Sequence, residues 1–356
     1  MSVALAVEPD SSKLFQWERW PDLPDPVGLK GMAAGVSNGH VVLAGGSNFP
    51  VPPRDGGPKT LATAIYVRAV GANAQTPWRR VPAVLPAGWA EGAAVTTEFG
   101  VVALGGLATN GAQAGVFLLG YSPKIRDVTR RLLPDLPVPL ASLAAVYSGG
   151  VIYVAGGDTG TSASSQFWAL NLAAAVDDPK GPHWQSLPSW SGPARFGAVL
   201  TALGKADHTR LYLLGGRIKT GRPVSESDYR NDAYRYDPKS NTWEVLPEMP
   251  HAVLLGGVLP LDENRLAVVG GSDGHDLDRM AELGARYRIP DRVMVFDTRR
   301  DEWELTDPMP LGVVGAPIVP LPNGGWLVVG GEYSPGLRTP RVYEVTVASE
   351  TTGAFR

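Results

Sequence analysis

Six times along this chain, a short run of β-branched and aliphatic residues ends in a pair of glycines. The runs cover residues 41–46, 101–106, 151–157, 211–216, 266–271 and 326–331, and successive pairs lie 60, 51, 59, 55 and 60 residues apart. A fixed period of this size marks a repeat architecture, in which one supersecondary unit is copied and stacked. The runs are too short for helices and rich in residues that favour strands. A glycine pair at a strand end supplies backbone freedom and allows close backbone packing.

Each pair is followed by a loop and then by a second strand carrying aromatics, such as Ala64-Ile65-Tyr66-Val67, Phe167-Trp168-Ala169-Leu170 and Val293-Met294-Val295-Phe296. A turn leads to a further strand, marked by Trp78, Trp184, Trp243 and Trp303; the second copy, around residues 121–133, has no Trp there. Pro-containing linkers, such as Leu246-Pro247-Glu248-Met249-Pro250, lead to the first strand of the next unit. Four strands per unit with Gly-Gly and Tyr…Trp positions resemble the kelch repeat, whose fold is a β-propeller. The expected fold is therefore an all-β, six-bladed kelch-type propeller, one domain over residues 1–356 with repeats from about 14 to 347. The last unit stops without its Trp strand, and a matching segment stands at the front, Phe15-Gln16-Trp17-Glu18-Arg19-Trp20. That segment is expected to complete the C-terminal blade and close the ring, leaving no open sheet edge across it.

Composition excludes several functions. The 356 residues are 44% apolar and 19% charged with net charge −3, and no basic run suggests a nucleic-acid or anionic-membrane partner. Gly 43 and Pro 32 are dispersed, which means many turns. The chain has no Cys, so disulfides, thiolate nucleophiles and the Tyr–Cys copper chemistry of galactose-oxidase-like propellers are excluded. No apolar run reaches the length of a spanning helix. Residues 3–7 form only a short apolar patch without a basic region before it, a poor signal peptide, so a soluble protein is expected. Compartment and oligomeric state are left open.

Alternating strand direction puts the loops after each glycine pair on the same face as the linkers between units. Loops gathered on one end of a rigid scaffold are where binding residues usually sit. That face collects Asn48, Arg217, Asp273, His275, Asp276 and Asp278 from loops, and Trp190, Arg195 and His251 from linkers. The acidic cluster at 273–278 has oxygen ligands but lacks the spacing of a dedicated cation loop, so no metal or other cofactor is expected. The last loop is different. In Gly330-Gly331-Glu332-Tyr333-Ser334-Pro335-Gly336-Leu337-Arg338-Thr339, a Glu follows the glycine pair, and an Arg lies beyond a Pro-Gly turn that would bring it back.

This segment closely resembles the active-site segment of the bacterial sialic acid mutarotases (N-acetylneuraminate epimerases), six-bladed kelch propellers. Gly35-Val36-Ser37-Asn38 with Ala44-Gly45-Gly46, and Gly192-Pro193-Ala194-Arg195, match as well. Those enzymes carry the active-site segment mid-chain, so this sequence resembles a cyclically permuted member of the family. The run 45–50 with 56–59 is similar to the permuted relatives. The resemblance implies an isomerase that interconverts the anomers of a cyclic sugar, N-acetylneuraminate first, with Glu332 as proton acceptor and Arg338 beside it. It also implies a periplasmic setting in the sialic acid mutarotases, although no export signal is visible here. A carboxylate suits the removal of an anomeric proton near neutral pH, and an Arg can hold a sugar carboxylate with two bonds. Asn48, Arg195 and His275 are the further candidates for binding the sugar, and the proton donor to the ring oxygen is left open among water, His275 and Arg338. Two alternatives stand beside this reading: Glu332 and Arg338 form an ion pair that only fixes the loop, or the propeller binds a protein or glycan through its long-loop face without catalysis.

Overall fold

The computed structural model describes residues 13–348; the apolar patch at residues 3–7 lies outside the described residues. Within them, six four-stranded antiparallel sheets form the blades of a propeller. Blade one is Ala33–Ser37, His40–Ala44, Ala64–Ala69 and Arg79–Val84, from the central axis outward. Blades two to five repeat this order. Blade six joins both ends of the described chain: Ile318–Pro320, Trp326–Val329 and Val342–Val347, with Phe15–Trp20 as its outer strand. The closing pair runs antiparallel from Phe15 opposite Val347 to Trp20 opposite Val342, as the sequence implies.

The second strands read as continuous apolar runs because both their faces are covered. Val42, Ala44, Ile65 and Val67 of blade one pack against Val101, Ala103, Phe117 and Leu119 of blade two, and comparable clusters lie between the other blades. Toward the rim, the Trp of an outer strand clips its blade to the one before. Its indole N–H donates to a proline carbonyl: Trp78 to Pro21 (3.0 Å), Trp184 to Pro134 (3.1 Å), Trp243 to Pro188 (2.8 Å) and Trp303 to Pro247 (3.0 Å). The Trp marker in the repeat is thus an interblade bond. Blade two lacks the residue and the bond; buried Val128 lies in its outer strand.

Two devices at the axis set the geometry of one face. The first explains the glycine pairs. Gly331 N–H donates to the Leu29 carbonyl of the following blade (2.9 Å), and a Cβ on Gly330 would lie 2.5 Å from that same oxygen. Both glycines have positive φ, 61° and 100°. The arrangement recurs five times, on the carbonyls of Trp89, Leu140, Arg195, Val253 and Val313. Glycine is required because a neighbouring backbone fills the space a side chain would need.

The second device is a closed ring of backbone hydrogen bonds. Gly31 N–H donates to Gly315 O (2.9 Å), Gly315 to Leu255 (2.8 Å), Leu255 to Gly197 (2.7 Å), Gly197 to Ser142 (2.7 Å), Ser142 to Glu91 (2.6 Å) and Glu91 back to Gly31 (2.9 Å). Each blade contributes one residue, just ahead of its innermost strand. All six are left-handed, with φ between 48° and 67°. Glu91, Ser142 and Leu255 hold this conformation without being glycine, at a cost of about 1–2 kcal/mol each.

The loops carry structure beyond the four-strand repeat. Two-stranded ribbons form after the glycine pairs in blades one, two and six, and a short helix, Leu172–Asp177, follows the third strand of blade three. Gly330→Ala combines a disfavoured left-handed φ with a backbone clash and is expected to destabilise the fold by about 3 kcal/mol. Gly39→Ala, at a φ of 69° but with nothing within 4 Å of the new Cβ, should cost only about 1 kcal/mol. Equilibrium denaturation of the two variants checks the difference.

Candidate functional site

The residue that follows each glycine pair forms a two-way backbone bridge with the residue preceding the hydrogen-bonded ring. The pairs are Ser47 with Lys30, Leu107 with Ala90, Asp158 with Ala141, Arg217 with Phe196, Ser272 with Leu254, and Glu332 with Val314. Twelve side chains are thereby fixed around the axis on one face, six from loops and six from linkers. Glu332 is the loop member from blade six, and Lys30 is the linker member from the adjacent blade one. This common bridge is why the two side chains meet.

Glu332 begins a small ribbon, Glu332–Ser334 paired with Leu337–Arg338, in which Glu332 stands directly opposite Arg338. The turn places Gly336 at φ 76° against Pro53 of blade one, where a Cβ would be 2.6 Å from the proline ring. Gly336 N–H lies 3.4 Å from Glu332 Oε1. Arg338 Nη1 donates to Glu332 Oε2, and its guanidinium lies 5.0 Å from the centre of the Phe49 ring. Lys30 Nζ is 3.5 Å from the same carboxylate oxygen. The Arg338 side chain is only 3% exposed, while Glu332 and Lys30 are 15% and 14% exposed. Burial lowers the Arg338 pKa, against the opposing pull of Glu332 and Glu91. Arg338 Nε is buried without a hydrogen-bond partner among the described residues.

A second carboxylate completes the cluster. Glu91, one of the left-handed residues of the backbone ring, pairs with Lys59 Nζ at 2.5 Å. Burial alone would raise its pKa, but Lys30, Lys59 and Arg338 together outweigh burial and hold it below the ordinary value. Lys30 and Glu91 also line a cavity of about 400 Å³ along the axis, whose wall is largely formed by small and aliphatic residues of the innermost strands, including Ala94, Val146 and Val258. The mouth of the axis therefore carries three cations and two carboxylates within one network.

The other sequence candidates are placed differently. Asn48 is buried near Glu332's neighbours in blade one, with its amide committed at both ends: Nδ2 donates to Asp25 (3.0 Å) and Oδ1 accepts from Thr60 (2.5 Å). Arg195 is fully buried. Its guanidinium forms a two-pronged pair with Asp232 (2.5 and 2.7 Å), donates to the Gly215 and Pro193 carbonyls, and lies beside the Trp190 and Tyr234 rings. Its own carbonyl receives the Gly157 N–H, so Arg195 couples blades three and four, and its fully buried side chain is not presented to a sugar on that face. His275 sits in the long loop of blade five, bonded to Asp273 (2.6 Å) and stacked on Tyr287 at 5.1 Å. Asp273 is also held by Arg292, and burial, offset by His275 and Arg292, leaves its pKa lowered.

Lys30, Lys59 and Glu91 belong to the charged cluster around Glu332 and were not among the sequence candidates. One signal was present: Lys30-Gly31 stands ahead of an innermost strand where the other blades carry Ala, Phe, Leu or Val before the ring residue, and Glu91 takes the ring position that Gly31 holds in blade one.

Comparison with known proteins gives similarities that agree with one another. The N-acetylneuraminate epimerase family model matches residues 133–282, from the end of blade two into the loop of blade five. The chain is 29% identical over 248 residues to N-acetylneuraminate epimerase of Brucella melitensis, covering 60% of this chain and 58% of that protein. It is 28% identical over 236 residues to the enzymes of Salmonella typhi and Yersinia pestis, covering 59% of this chain and 57% and 56% of theirs. The chain thus spans under three fifths of the length of these relatives. The solved structure of YjhT superposes with a TM-score of 0.66 over 93% of this chain and 97% of that one at 16% identity, a match of fold.

The Glu91 network makes a prediction about acid stability. A carboxyl whose folded pKa lies below its ordinary 4.5 stabilises the fold above that value, and the contribution disappears as pH falls through the folded pKa. Between pH 5 and pH 3, Glu91→Gln should therefore lose less stability than the wild type in denaturant titrations. Arg195→Met strands the Asp232 carboxylate and is expected to cost about 3–5 kcal/mol in the same measurement.

Proposed function

We propose that this protein is a mutarotase that interconverts the anomers of an acidic keto sugar, with N-acetylneuraminate as the first candidate substrate. The observation that carries this reading is the Glu332 carboxylate, water-accessible at the mouth of the axis and paired with Arg338 across a tight turn. The segment around it resembles the active-site segment of the sialic acid mutarotases, and the named relatives are N-acetylneuraminate epimerases. A rotated blade order accounts for a match that breaks after three fifths of both chains, with residues 330–339 standing last here instead of mid-chain. Rotation of blade order in a closed ring moves the chain ends without moving the loops.

Ring opening requires a base that takes the anomeric hydroxyl proton while the ring oxygen gains one. Rotation about the bond beside the new carbonyl, then reclosure, gives the other anomer. Glu332 is the base in this scheme. Arg338 acts as its positioning residue: with a side chain almost out of solvent, it orients the carboxylate. The hold on a sugar carboxylate that the resemblance gives to Arg338 passes more naturally to the accessible cations. Lys30, Lys59 and Arg338 against Glu91 and Glu332 leave one positive charge in excess, which favours a singly anionic sugar over a neutral hexose.

NMR exchange between the α and β anomers of N-acetylneuraminate tests the proposal. The wild type is expected to accelerate exchange, and Glu332→Gln to reduce that acceleration about 10²–10⁴-fold with an unchanged melting transition. Added salt should weaken the activity by screening the cationic mouth. No acceleration with N-acetylneuraminate or other keto-sugar acids overturns the mutarotase reading, and equal acceleration of a neutral aldose overturns the acidic-substrate assignment.

A further inference from the structure

We infer that Lys30 is the proton donor to the ring oxygen, the acid partner of Glu332; this rests on the mutarotase reading above. The geometry has three parts. Lys30 Nζ lies 3.5 Å from Glu332 Oε2, so a group accepting a proton and a group able to give one flank the same small space. The Lys30 backbone is fixed twice: by its two-way bridge to Ser47, and by its place next to Gly31 in the closed backbone ring. Its aliphatic stem lies over Gly315, where a Cβ would be 2.6 Å from Lys30 Cε. Glycine at that point leaves the channel through which the stem reaches Glu332.

The surrounding charges suit this task. Glu91 and Glu332 face the ammonium from blades two and six, and Lys59 and Arg338 are each paired to one of those carboxylates. Lys30 is thus the cation without a short partner of its own in this network, at 3.5 Å from its nearest carboxylate oxygen. An ammonium so placed can turn a proton toward a substrate without first breaking a close ion pair. Arg338, the other cation near Glu332, is a guanidinium that does not give up its proton in proteins.

The proton and electron balance is closed. Glu332 takes the anomeric hydroxyl proton as the O–H electrons form the carbonyl π bond. The ring C–O bond breaks, its electrons pass to the ring oxygen, and that oxygen takes a proton from the Lys30 ammonium. The site now holds a neutral carboxylic acid, a neutral amine and the open-chain keto form. After rotation, the chain hydroxyl attacks the other face of the carbonyl, returns its proton to Lys30, and the carbonyl oxygen takes the proton from Glu332. Both side chains finish as they began, and no co-reactant is consumed.

The experiment separates a proton from a charge. Anomer exchange of N-acetylneuraminate is followed by NMR for the wild type, Lys30→Arg, Lys30→Met and Lys30→Ala, each checked for an unchanged melting transition. Lys30→Arg keeps the positive charge but cannot donate, and it is expected to lose about 10²–10⁴-fold in kcat with KM within a few-fold of the wild type. Lys30→Met keeps the stem over Gly315 and should lose at least as much. Lys30→Ala should be rescued by added methylammonium and not by tetramethylammonium, which carries the charge without a proton. Lys30→Arg at wild-type kcat, or equal rescue by both ions, overturns the assignment while the mutarotase reading stands. A wild type that does not accelerate exchange overturns both.

Discussion

The ring of six backbone hydrogen bonds at the axis is the constraint on which the rest of this molecule depends. Each bond links one blade to its neighbour, and the last returns to Gly31, so the circuit is satisfied only with six blades in place. The donors and acceptors involved are crowded by the innermost strands, where an unpaired amide would be costly. Satisfying them demands a left-handed backbone at every member. Three positions meet that demand with glycine and three do not, and one of the latter is Glu91, whose side chain belongs to the charged cluster. Sparsely populated backbone conformations concentrate where geometry serves function, and Glu91 is a member of the ring for which such a use is visible.

Two Arg–carboxylate pairs in this chain show how environment divides scaffold from site. Arg195 and Asp232 meet with two short bonds, with further donors of Arg195 on backbone carbonyls and two aromatic rings beside its guanidinium; burial and this dense bonding make the pair a fixture. Arg338 and Glu332 have the same chemistry, yet Glu332 remains accessible, a third charged group approaches it, and one guanidinium nitrogen is unpartnered among the described residues. From sequence Arg338 was a candidate beside the proposed catalytic Glu332, and Arg195 a candidate for binding the sugar. The surroundings distinguish them.

Much of the fold was legible because it depends on short-range pattern. The glycine pairs gave the blade count, Trp17 and its neighbours gave the closure, and the last loop gave Glu332 opposite Arg338. The backbone ring was not legible, since it joins residues from six separate linkers through main-chain atoms that carry no side-chain signature. Lys30 and Lys59 were hidden for a related reason: a Lys in a linker or loop reads as solvated until tertiary structure brings it to a carboxylate. The burial of Arg195 against Asp232, 2.5 Å away, was hidden because the sequence does not place the two side by side.

The closing strand has a consequence for the timing of synthesis. Phe15–Trp20 leaves the ribosome long before Val342–Val347, its partner in blade six. Until then the early strand has no sheet to join, and the backbone circuit lacks its last link. Glu332 and Arg338 lie between the two halves of that closing blade. Their turn can rest against Pro53, and Lys30 can reach Glu332, only after the late segment has docked. Docking of the late segment therefore both seals the ring and assembles the charged mouth.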